Sequence, residues 1–288
     1  MLTGTGVALI TPFTSQGQVD FPALDRTVNN IIKGRAEFII VLGTTAETAT
    51  LSQEEKQQIV NCVVTAAKGR VPLVLGVGGN STAEVVHFLR KEDLGAFSAI
   101  LSVVPYYNRP TQEGIYQHFA AIAQASPIPV ILYNIPARTG VNMEPETALK
   151  LAREFGNIAG IKESSGSMPQ LMQLIKDRPE EFAVFAGDDA LGVPATLMGA
   201  QGVISVMANL FPKDTSDMIR DAMRGRAMRA LGLHYKYLDF MALLFREGNP
   251  AGIKTAMSIA ALCSDAVRLP LVAGSDALRK EMTAFLEK

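Results

Sequence analysis

Lys162 closes the apolar run Ile158-Ala159-Gly160-Ile161-Lys162. A lysine at the end of a buried strand is the residue type that forms a Schiff base with a keto carbon. Alternate side chains of a strand share a face, so Lys162 is expected on the side of Gly160 and Ile158. If that face is interior, the small Gly160 leaves room above it. Burial there disfavours the ammonium and favours the nucleophilic amine. The other reading is a strand-end lysine that points to solvent or pairs with Glu163. Position alone leaves both open.

Imine formation moves protons off nitrogen and onto a departing hydroxyl, so a relay must stand beside the amine. Other apolar runs end in GTTAET, PYYNRP and YNIPARTG, which supply Thr45, Tyr107 and Tyr133 as hydroxyl carriers. Taken singly, each has an ordinary reading as a turn, cap or core residue; together beside a lysine they point to proton transfer. Thr44 and Thr45 also offer hydroxyls and backbone N–H groups to a carboxylate. Arg138 is a candidate clamp for a second carboxylate, or a surface arginine. Asp188 and Asp189 stand before a helical stretch and read as caps rather than a metal pair.

These ends must be gathered by a scaffold. The apolar runs are Val7–Ile10, Phe38–Leu42, Leu73–Val77, Ala99–Val104, Val130–Tyr133, Ile158–Ile161, Ala183–Ala186 and Val203–Val206. Each is continuous rather than alternating, as in parallel strands covered on both faces. Between them lie helix candidates Gln53–Lys68, Thr82–Leu94, Gln112–Gln124, Pro145–Phe155 and Met168–Lys176. Ser52 with Glu55, and Ser81 with Glu84, have capping-box spacing. Strand–helix units in this number predict an α/β fold, a (β/α)8 TIM barrel, and no glycine-rich dinucleotide loop favours a doubly wound sheet. Barrel sites lie at the carboxyl ends of the strands, where these residues fall. Beyond Val206 the pattern is helical: Pro212–Arg224, Ala227–Arg246, Pro250–Leu262 and Ser275–Leu286. One of these completes the barrel, giving a catalytic unit of 1–224 and a C-terminal helical extension of 225–288.

Composition narrows the function classes. A formal net charge of -1 argues against bulk electrostatic binding of nucleic acid. No apolar run approaches a membrane span. The first residues lack the basic head and cleavage site of a secretory signal, so a cytoplasmic location is expected. Cys62 and Cys263 lie in helix-like stretches and predict no disulfide. His87, His118 and His234 share no metal-ligand spacing.

Over nearly its whole length the chain resembles the dihydrodipicolinate synthase/N-acetylneuraminate lyase family. The likeness runs through TGVALITPF, GTTAETATL, PYYNRPTQEGIYQHF, YNIPARTG, GIKESSG, FAGDD, GVISV and REGNP. It implies a barrel with a C-terminal helical domain, assembled as a homotetramer of tight dimers. It puts the Schiff-base lysine on Lys162 and the relay on Tyr133, Thr45 and Tyr107, the last reaching into a neighbouring subunit's site. Pyruvate would meet Thr44 and Thr45, with Val203 beside it, and Arg138 would hold the carboxylate of aspartate semialdehyde. No metal or organic cofactor is implied.

ARTG and the GTT start of the second-strand motif favour the synthase branch over a sialic-acid lyase or a 2-keto-3-deoxy sugar-acid aldolase. Ala46 departs from the usual GTTGE, and its methyl is expected to restrict a glycine conformation or narrow the pocket. A barrel that only senses a small molecule is the rival of another class, and the intact relay set opposes it. Asn80, Glu84 and Tyr106 match allosteric positions of lysine-sensitive members, whereas Gln53 and Lys56 stand where those often carry histidine. A cation at Lys56 would repel the ammonium of L-lysine, so inhibition is expected to be weak or absent.

Overall fold

The computed structural model describes residues 2–287. Eight strands form a closed parallel barrel in sequence order. They are β1 (Gly4–Ala8), β2 (Phe38–Val41), β3 (Leu73–Gly76), β4 (Ala99–Val103), β5 (Val130–Asn134), β6 (Ile158–Glu163), β7 (Ala183–Ala186) and β8 (Gly202–Ser205). Around them lie α1 (Phe21–Lys33), α2 (Gln53–Ala67), α3 (Thr82–Lys91), α4 (Gln112–Ala125), the single turn α5 (Pro136–Thr139), α6 (Pro145–Glu154), α7 (Met168–Asp177), α8 (Asp189–Leu197) and α9 (Pro212–Met223). The chain continues through α10 (Ala227–Arg246), α11 (Ala251–Ile259) and α12 (Asp276–Leu286). The barrel expected from the sequence is therefore present, with element ends shifted by a few residues.

Two apolar layers explain why the runs are continuous. Phe38, Ile40, Leu101, Ile131, Tyr133, Phe185 and Ile204 fill the barrel, with Phe38 edge-on to Phe185 at 5.4 Å. The alternate residues, such as Ile39, Val41, Leu132, Ile161 and Val184, pack outward beneath the helices. Both faces of each strand are dry, so neither tolerates polar alternation.

Local signals set the helix starts. Ser52 and Glu55 form both bonds of a capping box, whereas at Ser81 only the serine bond to the Glu84 amide is made. Asp188 caps α8 through the Ala190 amide. Lys68, in the left-handed region, ends α2. Arg90 and Lys91 lie in the last turn of α3, which ends at the cap residue Glu92. Cys62 and Cys263 are free thiols.

His118 lies on α4 against α3, its Nδ1 2.8 Å from the Thr82 hydroxyl, while its Nε2 is buried without a partner. Burial lowers its pKa from 6.5 to about 4. The folded state thus keeps this ring neutral over a range in which the unfolded chain binds a proton. The contribution of this ring to stability falls as pH drops from 6.5 towards 4 and levels off below. At about 1.4 kcal/mol per pH unit the contribution is roughly 3 kcal/mol. Urea titrations from pH 7 to pH 4 should show this loss in the parent and a shallower one in His118→Gln. Parallel pH profiles for the two chains would contradict the assignment.

Candidate active site

Lys162 is interior. It pairs in register with Tyr133 of β5, is 6 % exposed, and holds its amine 4.4 Å from the centre of the Tyr133 ring. Among the described residues no carboxylate lies within ion-pair distance of it. Glu163 is occupied elsewhere, accepting from Asn134 Nδ2, Gln170 Nε2 and the Ser165 amide. The alternative of a solvent-facing or Glu163-paired lysine is thereby removed.

The reason Lys162 faces inward differs from the simple alternation expected. The β5–β6 register shifts after Val130, which pairs with Ile158, while Ile131 pairs with Gly160. This irregularity sends Ile158 to the outer layer, so Lys162 shares its face with Gly160 but not with Ile158. Gly160 serves the strand packing: a Cβ there would meet the Ala183 carbonyl at 2.5 Å. Room for the lysine comes instead from Gly187, where a Cβ would stand 2.8 Å from Lys162 Cε.

Thr44 and Thr45 lie on a short 3-10 turn after β2, Thr44 exposed and Thr45 buried. Asn249, between α10 and α11, donates from Nδ2 to the Thr45 hydroxyl oxygen at 2.9 Å. The Asn249 carbonyl accepts from Arg138 at 3.0 Å. One residue of the C-terminal segment therefore sets both the threonine and the arginine. Nothing in the sequence links Asn249 to a threonine 204 positions earlier, although the REGNP segment that holds it is one of the motifs of the resemblance. Ala46 does not occupy the glycine conformation anticipated for it. The left-handed residue of this turn is Glu47, with φ of 57°. The Ala46 carbonyl accepts from the Thr11 hydroxyl, and the residue is buried and outside the cavity lining.

Thr44, Glu47, Tyr106, Tyr133, Arg138 and Asn249 line a cavity of about 490 Å³ at the carboxyl ends of the strands. Tyr107 does not join them: it is 89 % exposed, with φ of 74°. Of the two neighbouring tyrosines it is Tyr106 that borders the cavity, together with Lys56. Asn80 and Glu84 are exposed and outside the lining; Asn80 accepts from Asn108 through its carbonyl. The Val203 side chain points away from the cavity, into the outer layer against Gly192 of α8. Its neighbour Ile204 is the β8 side chain inside the barrel. Asp189 accepts from Ser205 and from the Val206 and Met207 amides, fixing the end of β8. Burial raises its pKa.

A buried lysine thus stands against a tyrosine ring that lines a cavity shared with a threonine turn and an arginine, the grouping expected of an imine-forming site. Comparison with known proteins agrees: the model of the dihydrodipicolinate synthetase family matches residues 1–288. The chain belongs to this family. A 4-hydroxy-tetrahydrodipicolinate synthase of Flavobacterium psychrophilum is 50 % identical over 285 residues, 99 % of this chain and 97 % of that one. The crystal structure of dihydrodipicolinate synthase from Thermotoga maritima is 32 % identical, with a TM-score of 0.97 over 100 % of this chain and 98 % of the other. A chloride-inhibited dihydrodipicolinate synthase from Acinetobacter baumannii, complexed with pyruvate, is 38 % identical with a TM-score of 0.95, covering 100 % and 98 %. Dihydrodipicolinate synthetase family membership thus extends over barrel and C-terminal helices alike.

Proposed function

We propose that this chain is a 4-hydroxy-tetrahydrodipicolinate synthase, condensing pyruvate with L-aspartate 4-semialdehyde through a Schiff base on Lys162. The observation that carries the reading is the buried Lys162 amine over the Tyr133 ring. The pyruvate complex of the Acinetobacter relative supports the first substrate.

The neutral amine attacks C2 of pyruvate, and Tyr133 passes protons as the carbinolamine loses water. The protonated imine draws electrons from the methyl carbon, which sheds a proton to become an enamine. That carbon adds to the aldehyde of the semialdehyde, whose carboxylate Arg138 orients. The amine of the second substrate displaces Lys162 by transimination and closes the ring. Thr44 and Thr45 receive the pyruvate carboxylate, and Ile204 takes the place beside it expected for Val203. The imine is its own electron sink, so these steps call for no cofactor. Residues 1–224 form the catalytic unit, with 225–288 as a helical domain that completes the site through Asn249.

The assembly is a homotetramer of tight dimers in the cytoplasm. Support comes from exposed apolar residues: Tyr107, and Met228, Tyr235 and Leu238 spaced along α10. Tyr107, the relay member that does not reach its own cavity, would enter a neighbour's.

Borohydride treatment with pyruvate, followed by mass spectrometry, should trap an adduct on Lys162. A coupled assay should then show turnover with aspartate semialdehyde and none with N-acetylneuraminate. The reverse preference would move the chain to the lyase branch. Asn80, Glu84 and Tyr106 remain the proposed regulatory positions, and the Lys56 cation at the cavity edge opposes an ammonium ligand. Millimolar L-lysine is therefore expected to inhibit turnover weakly or not at all. Clear suppression in the same assay would refute that expectation.

A further inference from the structure

The turn that carries Thr44 and Thr45 ends on Glu47, and the carboxylate of Glu47 is not at the surface. Its side chain is 1 % exposed and meets Lys254 of α11, itself 0 % exposed, at 2.5 Å. The other carboxylate oxygen accepts from the Arg268 amide at 2.9 Å. Lys254 also donates to the Ala266 carbonyl at 2.9 Å and lies 4.0 Å from the centre of the Phe13 ring. Arg268 in turn binds Glu55 through two nitrogens and holds the Thr50 and Gly17 carbonyls. The turn is thus gripped from below by the C-terminal segment, at a residue in the left-handed region that a non-glycine side chain enters only at some cost.

A buried ion pair contributes little net stability over an apolar pair of similar volume, because both charges lose their water. Its geometric effect is stronger: neither partner can move without leaving a charge unpaired in a dry interior. Two residues before Glu47 stands Thr45, whose hydroxyl is bound from the same C-terminal segment by Asn249. Asn249 and Lys254 lie within one stretch of chain, five positions apart. The two anchors therefore place the threonine turn relative to the C-terminal helices rather than to β2 alone.

We infer that Glu47 and Lys254 are positioning residues: their buried ion pair holds Thr45 at the distance and angle that proton transfer to the Lys162 adduct requires. The inference rests on the Schiff-base reading above and assigns these residues no contact with substrate.

The test measures the rate at which the full-length enzyme forms the pyruvate adduct, read by borohydride trapping and mass spectrometry. The informative variant is the double change Glu47→Gln with Lys254→Met, which removes both charges and so avoids stranding either. It should melt close to the parent temperature yet form the adduct about tenfold to a hundredfold more slowly, the scale of a misplaced proton relay. Glu47→Gln alone should be at least as slow where it folds. In a Thr45→Val background the double change should add less than about threefold, because its effect passes through the missing hydroxyl. A purely structural pair predicts otherwise. Parent-like trapping by the folded double variant, or an equal slowing with and without Thr45, overturns the inference while leaving the Schiff-base reading intact. Failure of the parent chain itself to trap pyruvate overturns both.

Discussion

Lys162→Ala is expected to abolish borohydride trapping of pyruvate and to lower turnover by on the order of 10^4-fold or more, the scale seen when a covalent nucleophile is removed. Among the described residues no second lysine stands inside the barrel beside Tyr133. Lys254, the other buried lysine, is paired with Glu47 and 0 % exposed, and burial lowers its pKa without opening a path to the cavity. Lys56 borders the cavity from α2 and is not a barrel residue. The variant should keep its fold, since Lys162 makes no ion pair whose loss would strand a partner. The measurement is the mass of the reduced protein with and without pyruvate, beside a melting curve. An unchanged adduct mass in the alanine variant would place the chemistry on another residue.

Tyr133→Phe keeps the ring beside the amine and removes only the hydroxyl. Trapping should persist but slow by about 10^2- to 10^4-fold, the contribution of a positioned acid–base group. The ring stays because it is core: Tyr133 is 5 % exposed and packs in the barrel interior with Ile131 and Leu101. Stability should therefore change little, which separates this variant from a packing mutant. Stopped trapping experiments at matched pyruvate concentrations read the rate directly. A parent-like rate in the phenylalanine variant would remove Tyr133 from the relay and leave its role as packing alone.

Some of this site was legible before any coordinates. Continuous apolar runs mark strands covered on both faces, and their number implies a closed barrel. A barrel brings its strand ends to one rim, so Lys162, Tyr133, Thr44 and Arg138 could be nominated together although they span 119 positions. The caps at Ser52 and Asp188 were equally local, since a cap involves only residues within a turn.

What failed were inferences that needed register or a partner across the fold. Simple alternation put Ile158 beside Lys162, and a register shift undid it. Val203 and Ile204 are adjacent apolar residues, and only the packing of α8 says which faces out. The motif leads one to expect the Ala46 methyl to restrict a glycine conformation or narrow the pocket, but the left-handed conformation falls one residue later, on Glu47.

The sequence by itself determined the barrel and the amine on its rim, because hydrophobic periodicity and strand-end chemistry are properties of neighbouring residues. Only the tertiary structure decided how that rim is held: Asn249 on Thr45, Lys254 under Glu47, and Gly187 making room for Lys162. Those contacts join residues far apart along the chain, and a distance in space between them exists only once the chain has folded.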